Sequence, residues 1–182
     1  MQASLFGVLA AAWIIWAVPF FLIRRGQTGT PHIVRRARWG IVAQAIGFSI
    51  LWQSAFWLRT PQLWRVVPGV IFLGLADVLS WTSARTLGRQ WRFDAGLNED
   101  HQLVQSGAYR YVRHPIYTSM LCLLLGMGLL LTPLPLLGVA FVFFMAGTTF
   151  RVRIEDALLA SRFGDTFEDY RQRVAAYIPF LY

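Results

Sequence analysis

Two short stretches carry most of the residues able to do chemistry. In YRYVRHPIY, Tyr109 to Tyr117, the chain sets Arg110, Arg113 and His114 directly against Pro115 and then turns apolar as far as Phe150. In RVRIED, Arg151 and Glu155 are spaced i, i+4, so on a helix they share a face. There they can pair, or jointly present opposite charges to a zwitterionic ligand. Proline suits the first position of a helix, because its missing N–H is one that a helix start leaves unpaired anyway. The positive end of such a helix favours anions. A plainer account also fits: a helix start with interfacial arginines, Tyr109, Tyr111 and Tyr117 as an aromatic belt, and Glu155-Asp156 as solvated acids. Spacing alone leaves both open. His101 follows Glu99-Asp100 in a polar stretch, and no second His or Cys stands at metal-ligand spacing, so no metal is expected. Asp77 lies inside an apolar run, where an ionisable group is expected to pair or to line a polar cavity.

The elements that position these residues belong to a membrane. Of 182 residues, 56% are hydrophobic and 14% charged, too apolar for an ordinary soluble domain. The net charge of +8 comes from arginines alone, with no lysine. They gather at the ends of apolar runs, where anionic headgroups and the positive-inside rule account for them without nucleic acid. Cys122 is the single cysteine, so no disulfide forms within one chain. The first apolar segment lacks a preceding basic stretch and reads as a retained helix, not a signal peptide. No GxGxxG, Walker-type or GxSxG pattern is present, which removes a soluble nucleotide-binding domain.

The expected architecture is all-α and polytopic, with about five transmembrane helices. The candidate spans are 3–23, 40–58, 66–84 and a short C-terminal helical hairpin of 116–131 and 135–150. Thr132-Pro133-Leu134-Pro135 makes the hairpin tip without a charge. The arginine-rich loops Arg24–Arg38 and Arg85–Arg113 read as cytoplasmic, which puts the N-terminus outside and the C-terminus inside. Gly88–His114 reads as a structured loop with one short helix. RVRIEDALLASRF places Ile154, Leu158 and Leu159 on one face of a helix that follows the hairpin and stops at Gly164. Asp165-Thr-Phe-Glu168 has the pattern of a capping box for a second helix through about Val174. No repeat or second domain is visible; 1–182 reads as one domain, with 1–87 as N-terminal helices and 88–182 as the chemical half.

Taken together, LGRQW at Leu87–Trp91, HQLVQSGAYRYVRHPIY at His101–Tyr117, the apolar hairpin and RIEDALLASRFGDTFEDYRQRV at Arg153–Val174 resemble the isoprenylcysteine carboxyl methyltransferase family. That family takes in related bacterial membrane methyltransferases and phospholipid methyltransferases. The resemblance covers about the C-terminal half; the N-terminal helices match only in being apolar. It implies an S-adenosylmethionine-dependent methyltransferase whose cofactor site is built from cytoplasmic loops and helix ends. By that resemblance His101, Gln102, Leu103, Val104, Tyr109, His114, Pro115, Ile116 and Tyr117 line the cofactor. Glu155 holds its charged amino-acid end, and Arg151 meets the substrate. Asp94 corresponds to a further cofactor-side position where some members carry an amide. Asp156 replaces the second glutamate of the usual pair, and Ser119 stands where glycine is common. The implied partners are membrane lipids and a lipophilic acceptor: a prenylcysteine-type carboxylate, a thiol or a lipid headgroup. The alternatives are an NADPH-dependent sterol-type reductase, for which the chain is short, and a non-catalytic membrane scaffold.

Overall fold

The computed structural model describes residues 2–23, 32–91, 95–97 and 102–179. Among them the chain forms six α-helices: α1 (Gln2–Leu22), α2 (Arg38–Ile50), α3 (Leu63–Leu87), α4 (Pro115–Leu131), α5 (Leu134–Phe163) and α6 (Asp165–Arg173). It is an all-α, polytopic membrane architecture. Ser4–Leu22 within α1, α3 and α5 are long and apolar enough to cross a bilayer, and α4 is a shorter apolar helix. His32–Ile33 (β1) and Gly96–Leu97 (β2) pair antiparallel, tying the first polar loop to the second. Among the described residues, the loop after α3 otherwise holds two short 3-10 helices, Gly88–Gln90 and Gly107–Arg110.

The helices associate as two close pairs, α3 with α4 and α2 with α5. In lipid, helices attract mainly through close packing, which small residues permit. A Cβ on Gly147 would stand 2.5 Å from the Gly40 carbonyl oxygen, and a Cβ on Gly126 would stand 2.9 Å from that of Gly69. Each pair therefore meets backbone to backbone at these points. α1 leans on α3, where the Ser80 hydroxyl donates to the Trp16 carbonyl at 2.6 Å and the Trp81 indole donates to that of Ile15 at 2.8 Å.

The far end of the bundle is closed by hydrogen bonds. Helix α4 ends with carbonyls that lack helical partners, and the buried Arg65 guanidinium donates to those of Leu129, at 2.7 Å, and Thr132, while sharing the Gly128 carbonyl, at 3.3 Å, with the Thr132 amide. Its charge also suits the negative end of the helix. The Thr132 hydroxyl donates to the Leu51 carbonyl at 2.5 Å, fastening the hairpin tip to the end of α2.

Three sequence expectations change. The second candidate span is the 13-residue α2 followed by turns and a 3-10 helix at Ala55–Leu58. At 1.5 Å per residue α2 reaches only about 20 Å. The second hairpin arm and the helix after it are one 30-residue helix, α5. The charges from Arg151 onward signalled an exit from the membrane, yet no Gly or Pro interrupts the helix between Gly147 and Gly164. Finally, the capping box does not form. Gly164, at φ 52°, ends α5 and starts α6, so Asp165 is already helical, and Glu168 pairs with Arg171 at 2.8 Å.

The α2–α5 contact makes a sharp prediction. Gly147→Val should lower the thermal midpoint in detergent, with an overpacking cost of about 1–3 kcal/mol. Gly138→Val, on the same helix but facing open space, should leave it nearly unchanged.

Candidate functional site

The site forms where the start of α4 meets the second half of α5. His114 caps α4, with Pro115 as the first helical residue. The C-terminal strap after α6 holds this cap in place, because the Arg113 and His114 amides donate to the Ala175 and Ala176 carbonyls, both at 2.8 Å. The Thr118 hydroxyl donates to the Tyr177 carbonyl at 2.7 Å.

With its backbone fixed, the His114 ring lies between two carboxylates that are adjacent on α5. Its Nε2 is 2.8 Å from Asp156 Oδ1, and its Nδ1 is 3.4 Å from Glu155 Oε2. The Arg113 guanidinium meets Asp156 Oδ2 at 3.0 Å and donates to the Arg171 carbonyl at 3.0 Å and to that of Val174. On the other side, the Tyr117 hydroxyl donates to Glu155 Oε1 at 2.5 Å, and Arg151 reaches the same oxygen at 3.4 Å. The Arg151 guanidinium carbon sits 5.4 Å from the Tyr117 ring centre. The i, i+4 pairing read from sequence is thus present, and its plainer alternative of solvated acids is not: the Asp156 side chain is 13% exposed and that of Glu155 22%.

Burial alone would push the His114 imidazole towards neutrality, but its hydrogen bonds to Asp156 and Glu155, and their charge, raise its pKa to about 9. His114 is therefore a cation at neutral pH, hydrogen-bonded through Nε2 to Asp156 and ion-paired through Nδ1 with Glu155. Burial, with Tyr170 and Glu155 nearby, pushes the Tyr109 phenol up as well, so it stays neutral. The Tyr170 hydroxyl donates to the Tyr109 carbonyl, binding α6 to the loop before α4.

A cavity of about 530 Å³ opens against this network, in the range of pockets for one drug-sized ligand. Gln102, Leu103, Val104, Tyr109, His114, Ile116, Tyr117, Arg151 and Glu155 all line it. Pro115 is fully buried behind the wall, and Asp156 faces Arg113 and His114. Ser119 turns its hydroxyl onto the Ile116 carbonyl at 2.6 Å and accepts from the Trp16 indole at 3.0 Å, anchoring α1 to α4. His101 and Asp94 lie outside the described residues. Asp77 is away from this cavity, and its Oδ1 is buried without a hydrogen-bond partner among the described residues.

The opposite wall was not foreseen. It comes from the N-terminal helices: Trp16, Ala17 and Phe20 on α1, Ile41 and Gln44 on α2. Gln44, an amide inside an apolar run, was the one available signal.

A family model described as phospholipid methyltransferase matches residues 64–166. The chain belongs to the phospholipid methyltransferase family. It is 40% identical over 88 residues to the protein-S-isoprenylcysteine O-methyltransferase of Schizosaccharomyces pombe, covering 46% of this chain and 36% of that relative. It is 32% identical over 145 residues to the cobalt-zinc-cadmium resistance protein CzcN of Cupriavidus metallidurans, covering 79% and 62%. Its fold is similar to a solved structure of the eukaryotic intramembrane Ras methyltransferase, isoprenylcysteine carboxyl methyltransferase. The TM-score is 0.58 at 23% identity, over 99% of this chain and 64% of that one. The chain thus spans from about a third to just under two thirds of the length of these relatives.

The His114 cation has a pH signature. Its pKa in the folded chain, about 9, lies above the ordinary 6.5. Its contribution to stability is therefore complete below pH 6.5 and lost as pH rises through about 9. The thermal midpoint should fall by several degrees across that window. His114→Gln should start lower and flatten that part of the profile.

Proposed function

We propose that this protein is an S-adenosylmethionine-dependent methyltransferase that acts at the membrane on a lipophilic acceptor. One observation carries the reading: in a chain of this family, the Arg113–His114–Glu155–Arg151 network forms the polar wall of a cavity large enough for a cofactor. When bound, S-adenosylmethionine supplies a methyl group on a sulfonium centre, open to direct in-line displacement. Such a reaction leaves the protein mainly the tasks of positioning and electrostatics.

The residues present fit that group. Glu155 is held by Tyr117, Arg151 and His114, and its carboxylate retains lone pairs to accept from an ammonium. At the start of α4, Pro115 has no N–H, and the Tyr117 and Thr118 amides turn back onto the His114 carbonyl. Ile116 therefore offers the first-turn N–H for a carboxylate, favoured by the helix dipole. Gln102 to Val104 and Tyr109 give a mixed polar and apolar wall for the flat part of the cofactor, with His101 expected beside them. Arg151 holds an anionic acceptor: a prenylcysteine-type carboxylate, a thiolate or a lipid phosphate. Phe21, on the cavity rim and 82% exposed, marks an apolar mouth through which a membrane-dissolved acceptor enters. In this reading residues 88–182 hold the cofactor and 1–87 close the acceptor side. The mouth of α4 faces the cytoplasm, as the arginine-rich loops imply, and the chain resides in a bacterial inner membrane.

Calorimetric titration of the purified protein with S-adenosylhomocysteine tests this. We expect one site per chain, and a folded sample that takes up none refutes the reading. Glu155→Gln should weaken the affinity about ten- to a hundredfold, the size of a lost charge-assisted hydrogen bond.

A further inference from the structure

The cavity has a polar group that the cofactor reading leaves unused. On α1, α2, α4 and α5, the lining residues nearest the hairpin tip are Trp16, Gln44, Met120 and Arg151. Beyond this layer the bundle is sealed. The Trp13 and Phe48 ring centres lie 5.5 Å apart, those of Phe48 and Phe144 5.9 Å apart, and the Trp13 indole reaches Met127 Sδ at 2.9 Å. The inner end of the cavity is therefore an apolar floor with two polar groups, Gln44 and Arg151.

These two groups are set side by side by the α2–α5 contact. The Arg151 side chain crosses α2 at Gly40, where an added Cβ would stand 2.5 Å from Arg151 Cγ. One turn further along α2, the Gln44 amide is 2% exposed and donates to Thr148 Oγ1 at 2.8 Å. That bond uses one of two amide hydrogens and fixes the plane of the group, leaving a second N–H and the oxygen for a ligand. Packing of α2 on α5 needs only small residues, which Gly40 and Gly147 already supply. A buried amide lining a membrane cavity points to a bound polar group.

We propose that Gln44 is an acceptor-positioning residue. Its free N–H donates to the anionic head of a lipophilic acceptor whose charge Arg151 balances, so the head is fixed at the sealed end and the apolar body runs back along Ala17 and Phe20. The acceptor class is a hydrogen-bond-accepting anion on an apolar chain. This rests on the methyltransferase reading and adds a residue from the half of the chain that the family resemblance leaves unassigned.

The test uses full-length protein in nanodiscs of zwitterionic lipid, loaded with S-adenosylhomocysteine, and dodecanoate as the probe. Wild type should bind dodecanoate saturably. Gln44→Leu should weaken it about ten- to a hundredfold, as for a hydrogen bond to a charge, with S-adenosylhomocysteine affinity unchanged. Gln44→Glu, which keeps a partner for Thr148 but adds a negative charge, should weaken it at least as much. Thr148→Val should have a smaller effect. If no wild-type binding of dodecanoate is seen, or if Gln44→Leu binds it as wild type does, Gln44 is no acceptor residue. Equal loss in Gln44→Leu and Thr148→Val would make the amide a helix–helix bond only, and a parallel loss of S-adenosylhomocysteine affinity would assign it to the cofactor. Failure of the wild type to bind S-adenosylhomocysteine would instead remove the methyltransferase reading itself.

Discussion

Two carboxylates on consecutive residues of a membrane protein repel each other and resist burial, and Glu155 and Asp156 are held together because the His114 cation lies between them. Consecutive helical residues point about 100° apart, and the one imidazole presents Nε2 to Asp156 and Nδ1 to Glu155. Arg113 closes the Asp156 side and Arg151 with Tyr117 the Glu155 side, so every charge in the group faces an opposite one. Removing one member of such a buried set leaves an uncompensated ion, which costs far more than the intact set contributes. The crossing of α4 over α5 is fixed by that requirement.

Other elements serve to keep the cation in its place. The strap after α6 is anchored to the Arg113 and His114 amides, and the Arg113 side chain in turn ties up carbonyls at the end of α6. The short C-terminal helix is thereby part of the site, although only Tyr170 from it reaches the cavity. Across the bundle, Gly40 and Gly147 let α2 approach α5 closely enough for Arg151 to lie along it. The ionic side of the cavity and its apolar side are thus joined through one helix pair.

The legible part of the site was the part whose chemistry is unusual in a membrane. Arg113, His114, Pro115, Arg151 and Glu155 stood out because charges and a proline at the border of an apolar run have few reasons to be there. Trp16, Ala17, Phe20 and Ile41 gave no signal, since residues that face a cavity and residues that face lipid are drawn from the same apolar set. The helical, membrane-spanning class followed from composition. The continuity of α5 did not, because the arginines from Arg151 onward looked like a break at the membrane border, whereas Arg151 lies against α2 and pairs with Glu155 within one unbroken helix. The end of α2 was hidden for a similar reason: Leu51 to Leu58 remains largely apolar, and the Leu51 carbonyl accepts from the Thr132 hydroxyl, a tertiary partner with no mark in the local sequence.

Helix α5 has a consequence beyond the cavity. Its 30 residues extend about 45 Å, against about 30 Å for a hydrocarbon core, and it is uninterrupted from the hairpin tip to Gly164. The tip is fastened to α2 and α3 through Thr132 and Arg65. Arg151 and Glu155 are therefore carried at a fixed height, set by a rigid strut whose foot rests near the opposite leaflet. A thicker or thinner membrane displaces them relative to the lipid headgroups beside them, because no joint along the strut absorbs the difference. Bilayer thickness acts on this site as a vertical adjustment, setting how deep the Arg151–Glu155 pair sits relative to the headgroup layer.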